Sequence, residues 1–134
     1  QLRAALERES AILAARKCTP LDAAELLRIL ARMDMAEDEK SRGEIDKELH
    51  TKIAKIANNP MIFSVLTAAD QLTENTISGI RDYIMQKDHS EVQIDEQHRR
   101  LVEAIINNDD RQAELCMSEH MDTIEKCIDE MQQK

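Results

Sequence analysis

The sequence predicts an all-α domain, and three observations carry that expectation. Only two glycines and two prolines occur in 134 residues, too few for a turn-rich β protein or a flexible linker. Aromatic side chains are nearly absent, Phe63 and Tyr83 alone, so aliphatic residues and seven methionines must fill the core. Charged residues make up 34% of the chain, and the commonest types are good helix formers. A chain of this length suits one domain, which can bury roughly two-thirds of its unfolded surface.

Each helix can be placed from its own residues. Leu2 to Arg16 carries Leu2, Ala5, Leu6, Ile12 and Leu13 at a roughly helical period. A break follows at Cys18-Thr19-Pro20, where Thr19 suits an N-cap and Pro20 a first helical position. The second helix is expected from Pro20 to about Met35, with Leu21, Ala24, Leu27, Ile29, Leu30 and Met33 inward. Ala36 to Gly43 is charged and polar and reads as a connection. The third helix spans about Glu44 to Ala57 on a stripe of Ile45, Leu49, Ile53, Ile56 and Ala57. Asn58-Asn59-Pro60 ends it, because the residue before proline avoids the α region.

A long fourth helix is expected from about Pro60 to Gln86, then a polar loop from Lys87 to Ser90, with Ser90 as N-cap. The fifth covers about Glu91 to Asn107, with Leu101, Val102, Ile105 and Ile106 apolar. Asn107-Asn108-Asp109 forms a turn in which Asp109 caps the next helix. The sixth runs from about Asp110 to Gln132, with Ala113, Met117, Ile124, Ile128 and Met131 inside. Short loops between such helices predict an antiparallel bundle of about six to seven of them.

Charge and cysteine content narrow the function. A formal net charge of −9 argues against nucleic-acid binding by these residues alone, because phosphates call for a basic surface. No apolar run approaches the ~18 residues of a membrane span, and no signal peptide is visible. Cys18, Cys116 and Cys127 are odd in number and widely spaced, so a disulfide framework is not expected and a reducing cytoplasm fits. Cys116 and Cys127 share a helix face as buried thiols. The chain opens on Gln1 rather than Met, which reads as part of something longer.

The informative feature is where polar side chains interrupt apolar stripes. Asp46 and His50 are four residues apart and project from one helix face with Ile53 and Ala57. His98 precedes Leu101 and Val102 by three and four residues. His120 lies between Met117 and Ile124. Only His89 falls in an expected loop. Taken singly, each inward histidine is an ordinary hydrogen-bonded core residue. Taken together they form a set, and a buried carboxylate needs a counter-charge or a metal. Three imidazoles and one carboxylate suit a first-row divalent ion such as zinc or nickel, with coordination positions left open.

These residues also resemble a family. The run from Asp46 through Leu49-His50, Ile53 and Ala57 to Asn58-Asn59-Pro60 resembles the D-x-x-F-H-x-x-I-x-x-A-x-x-N segment of the FCD domain. That is the ligand-binding C-terminal domain of FadR-type regulators, a subfamily of the GntR bacterial transcription regulators. Glu96-Gln97-His98 with Leu101, Ala104-Ile105 and Asp109 resembles the family's E-H-x-x-I-x-x-A-I-x-x-x-D segment. His120 matches the histidine of the last helix and Ala113 the small residue before it. Arg3, Leu6-Glu7 and Ala14-Ala15 resemble the R-x-x-L-E…A-A opening. Two departures stand out: Leu49 replaces the usual Phe, and Gln97 separates Glu96 from His98.

The resemblance implies a helical bundle around a central pocket, with a metal held by Asp46, His50, His98 and His120. It implies an effector-sensing domain for a small carboxylate-type metabolite. It implies operator binding only through an N-terminal winged helix-turn-helix domain that is not in this chain, and homodimerisation. Arg3 and Arg81 are candidates for the effector's carboxylate, since a guanidinium pairs with it bidentately. Asn75, in the polar run Thr73-Glu74-Asn75-Thr76, is a further candidate. A metal-dependent hydrolase and a purely structural bundle are the alternatives. No H-E-x-x-H motif occurs, and helical spacing turns Glu48 away from Asp46 and His50, so no enzyme is expected.

Overall fold

The structure is a computed structural model that describes residues 2–72 and 90–132. Those residues form a helical bundle: α1 Leu2–Lys17, α2 Pro20–Met35, α3 Glu39–Ala57, α4 Pro60–Leu72, α5 Ser90–Ile106 and α6 Asp110–Gln132. No strand occurs among the described residues. None of their helices is long and apolar enough to cross a membrane. The remainder of the expected long fourth helix and the loop at Lys87 to His89 lie outside what is described, and Ser90, expected as a cap before Glu91, is the first residue of α5.

Local chemistry explains the boundaries. The Asp22 N–H donates to Thr19 Oγ1 and the Thr19 N–H donates to Asp22 Oδ2, both at 3.1 Å, a reciprocal capping box ahead of α2 with Pro20 in its first turn. Asp109 caps α6 by accepting the Gln112 N–H at 3.1 Å. α3 corrects the sequence reading, because it begins at Glu39 rather than Glu44. Asp38 accepts the Ser41 N–H at 2.7 Å, and this cap extends the helix through the stretch expected to be a connection. Asn58 and Asn108 adopt left-handed conformations, with φ of 54° and 57°. Asparagine tolerates that region better than most residues, and it lets the chain reverse after α3 and α5. Pairs joined by these short turns, α2 with α3, α3 with α4 and α5 with α6, pack side by side.

Two helices bury a different stripe from the one expected. α2 turns Leu26, Ile29, Leu30 and Met33 inward, while Leu21 is 69% exposed, Leu27 is 53% exposed and Ala24 is exposed. The buried set follows i, i+3, i+4, i+7 spacing, and among the described helices α2 packs on α3 and α5 alone, so one stripe suffices. Successive residues lie ~100° apart around a helix, which carries Leu27 off that stripe. In α1 the buried residues are Ala4, Glu7, Ser10, Ala11, Ala14 and Ala15, whereas Leu2 and Ala5 are exposed. α1 contacts α3, α4, α5 and α6, and small side chains let those backbones approach it closely. Its larger residues Leu6 and Leu13 sit toward α4, in a cluster with Phe63, Ile62 and Leu66.

The main core joins α1, α2, α3, α5 and α6 through Leu26, Leu49, Ile53, Leu101, Ile105 and Met117. Burial of this kind, near 25 cal/mol per Å² of apolar surface, drives the assembly. Ile124, Ile128 and Met131 are half-buried around Cys127. Cys116 and Cys127 are buried free thiols and Cys18 is half-buried. Polar contacts fasten the ends. Asn108 Nδ2 donates to the carbonyls of Ala15 (2.8 Å) and Cys18 (3.2 Å), and Lys17 Nζ donates to the Ala57 carbonyl (2.7 Å).

Candidate metal centre

Three helices bring the inward polar residues together. α3 carries Asp46 and His50 one turn apart, α5 carries His98, and α6 carries His120. Each histidine projects from a stripe that packs into the main core, so assembling that core also gathers the rings. Ring centroids of His98 and His120 are 4.7 Å apart, those of His50 and His120 5.5 Å, and those of His50 and His98 6.0 Å. One nitrogen from each ring falls in a set whose members all lie within 4.8 Å of one another. Asp46 Oδ1 joins them, 3.3 Å from His50 Nε2 and 3.2 Å from His98 Nε2. His98 is 2% exposed and His120 3%.

Electrostatics ties the group further. Burial disfavours a charged His50 ring, but Glu7 and Asp46 override it and push its pKa up to about 10. Burial likewise opposes charge on Asp46, yet His98 and His50 hold its carboxyl well below the usual range. Asp46 Oδ1 thus lies within ion-pair distance of both the His50 and the His98 rings.

The donors fit a divalent metal. Neither ring nitrogen of His98 makes a hydrogen bond among the described residues, although Nε2 is 3.2 Å from Asp46 Oδ1. Buried polar atoms are seldom left so. Two nitrogens on one zinc stand roughly 3–4 Å apart, so side-chain adjustment alone closes the set.

Two residues that sequence reasoning did not assign to the site belong to its surroundings. Glu7, 3% exposed on α1, places Oε2 3.2 Å from His50 Nδ1. Gln97, 1% exposed on α5, places Oε1 3.0 Å from His120 Nδ1. The signal for Glu7 was a carboxylate inside the small-residue stripe of Ala4, Ser10, Ala11 and Ala14. Gln97 neighbours His98 but faces α6. Arg3, an effector candidate, pairs with Asp70 of α4 at 2.6 Å and lies 3.9 Å from Glu7. The candidates Arg81 and Asn75 lie outside the described residues, as does His89. An open groove of about 590 Å³ between α2 and α3 holds no histidine. Its charges pair locally, Arg32 with Glu48 at 2.6 Å and Lys52 with Glu25, as solvated surface charges do.

A helical bundle with an inward cluster of three histidines and a carboxylate defines a domain with a candidate divalent-metal site. Comparison with known proteins gives the family. The chain belongs to the FCD domain family, whose family model matches residues 1–123. It is 24% identical over 137 residues to the Glc operon transcriptional activator of Escherichia coli strain K12, and equally to that of strain O6:H1. The match covers 98% of this chain and 54% of each relative, so the chain spans about half the length of these curated relatives. Among solved structures, E. coli McbR/YncC superposes with a TM-score of 0.80 at 21% identity, covering 97% of this chain and 62% of that one.

Proposed function

We propose that this domain senses a small carboxylate metabolite for a GntR/FadR-type transcription regulator. The observation that carries the reading is the clustering of His50, His98 and His120 inside the bundle, with Asp46 Oδ1 within 3.3 Å of the His50 and His98 rings. These four residues would hold a divalent ion, zinc or nickel, which when bound supplies a positive centre with an open coordination position. Two positive charges less one from Asp46 leave that centre positive. The second buried carboxylate, Glu7, faces His50 at 3.2 Å and lies 3.9 Å from Arg3, which Asp70 also engages at 2.6 Å. An anion is favoured there over a neutral sugar or a cation. Arg3, Arg81 and Asn75 are the further donors proposed for the effector.

Regulation requires that the effector discriminate between two arrangements of the domain, since equal affinity for both shifts nothing. α1, which touches the site through Glu7, is the element proposed to move. Operator binding is assigned to an N-terminal winged helix-turn-helix domain outside this chain, in a cytoplasmic homodimer. Hydrolysis is not proposed. The two carboxylates considered as general bases lie apart from the cluster, Glu48 being exposed and paired with Arg32, and Glu96 exposed.

The test is native mass spectrometry of the purified chain, then titration of small carboxylic acids into metal-loaded and metal-stripped protein. A bound divalent ion, a dimeric mass and metal-dependent heat of binding are expected. The same heat with and without metal refutes the mechanism.

A further inference from the structure

We propose that Thr123 and Gln97 form a positioning relay that fixes the tautomer of His120 and aims its Nε2 at the centre of the histidine cluster. The proposal rests on the metal reading above and adds how one ligand is oriented. Thr123 Oγ1 lies 3.1 Å from the Glu119 carbonyl, one turn earlier on α6. A hydroxyl has one proton and a carbonyl can only accept, so the proton goes to Glu119. The Thr123 oxygen is thereby left as an acceptor toward Gln97, whose Nε2 donates to it at 2.9 Å. A flipped amide would set two acceptor oxygens against each other, so the amide has one orientation. Its Oε1 then faces His120 Nδ1 at 3.0 Å. An amide oxygen only accepts, so Nδ1 carries the proton. A neutral imidazole protonated at Nδ1 bears its lone pair on Nε2, the nitrogen that would bind a metal. Gln97 and His120 are both buried, which leaves little room for water to take over either contact.

His50 in the same cluster is oriented differently. Its Nδ1 faces the Glu7 carboxylate, which accepts in any orientation and needs no third residue to set it. The His120 side relies on a neutral amide that could present either end, so it depends on Thr123. Partners of this kind, one step out from metal ligands, typically change affinity by about 10–100-fold when removed.

Two readouts test the relay on the whole chain. Two-bond ¹⁵N–¹H spectra of metal-free protein in mildly alkaline buffer report which nitrogen of His120 is protonated. Competition with a chromophoric chelator reports zinc affinity. The wild type is expected to show the Nδ1–H form. Thr123→Val should mix the two tautomers and weaken zinc binding about 10-fold. Adding Gln97→Glu should restore both, because a carboxylate accepts at either oxygen. An Nε2–H wild type, or a Thr123→Val protein with unchanged tautomer and affinity, overturns the proposal. A wild type that binds no zinc refutes the metal reading instead, and the tautomer spectra still decide the relay. Should Thr123→Val fail to fold, the wild-type tautomer and the affinity of Gln97→Glu, expected to equal or exceed that of the wild type, decide it.

Discussion

Replacing Glu7 with Gln removes one charge at the site with almost no change in side-chain volume. In metal-free protein the His50 ring stands between Glu7 Oε2 at 3.2 Å and Asp46 Oδ1 at 3.3 Å. Together, against the cost of burial, they raise its pKa from 6.5 to about 10. That rise corresponds to roughly 5 kcal/mol, at about 1.4 kcal/mol for each tenfold change in proton affinity. Assigning about half to Glu7 makes the variant roughly 2–3 kcal/mol less stable. The sign follows from linkage. A folded-state value above the unfolded one stabilises fully below 6.5, and the benefit is lost as pH rises through about 10. The penalty of Glu7→Gln should therefore hold at neutral pH and fade between roughly pH 8 and 10. At about 3 °C per kcal/mol for a domain of this size, the melting temperature at neutral pH should fall by roughly 6–9 °C. Thermal melts in chelator across that range measure it. A penalty independent of pH, or none at all, refutes the assignment of Glu7 as the partner of His50.

Further outcomes follow from the same geometry. His98→Ala and His120→Ala should each lose bound zinc and the thermal stabilisation it confers, and full occupancy in the double variant refutes the ligand set. Zinc binding near neutral pH should release the proton held by His50, visible as heats that vary with buffer ionisation enthalpy. Affinity should weaken as pH falls below about 10, where His50 takes up its proton, and a pH-independent affinity refutes imidazole ligation. Leu49→Ala empties a fully buried core position on α3 and should cost about 2–5 kcal/mol in denaturant unfolding. A loss well under 1 kcal/mol would mean that the site collapses around the smaller side chain.

Sequence reading recovered what local chemistry dictates. Thr19-Pro20, Asn58-Asn59-Pro60 and Asp109 mark helix ends through caps and restricted dihedrals, so their boundaries could be read directly. The start of α3 was missed because Asp38 sits in a charged run where a cap looks like any other acidic residue. Stripe assignment failed where the neighbours decide it. Leu27 and Leu26 are equally apolar, and only the placement of α3 and α5 selects Leu26. In α1 Leu6 and Leu13 pack toward α4, but the fully buried face is mostly alanine because a helix surrounded by others needs small residues, a demand invisible along one chain segment. The histidines were legible because they sit at helical spacing from apolar residues. Glu7 and Gln97 were not, because their role exists only across helix interfaces. Gln97 read as an interruption of a motif, whereas in the fold it contacts both His120 and Thr123.

The alanine-rich inner face of α1 has a mechanical consequence. Large side chains interlock like teeth and resist axial slip, whereas a smooth rod of Ala4, Ala11, Ala14 and Ala15 offers little such resistance. The registry of α1 is then set by polar pins. Arg3 to Asp70 holds its start, Glu7 to His50 its middle, and Lys17 to the Ala57 carbonyl with Arg16 to Asp110 its end. With Leu6 and Leu13 as its teeth only toward α4, a rod located elsewhere by charges responds to whatever alters those charges. The middle pin is the one that ends on the histidine cluster.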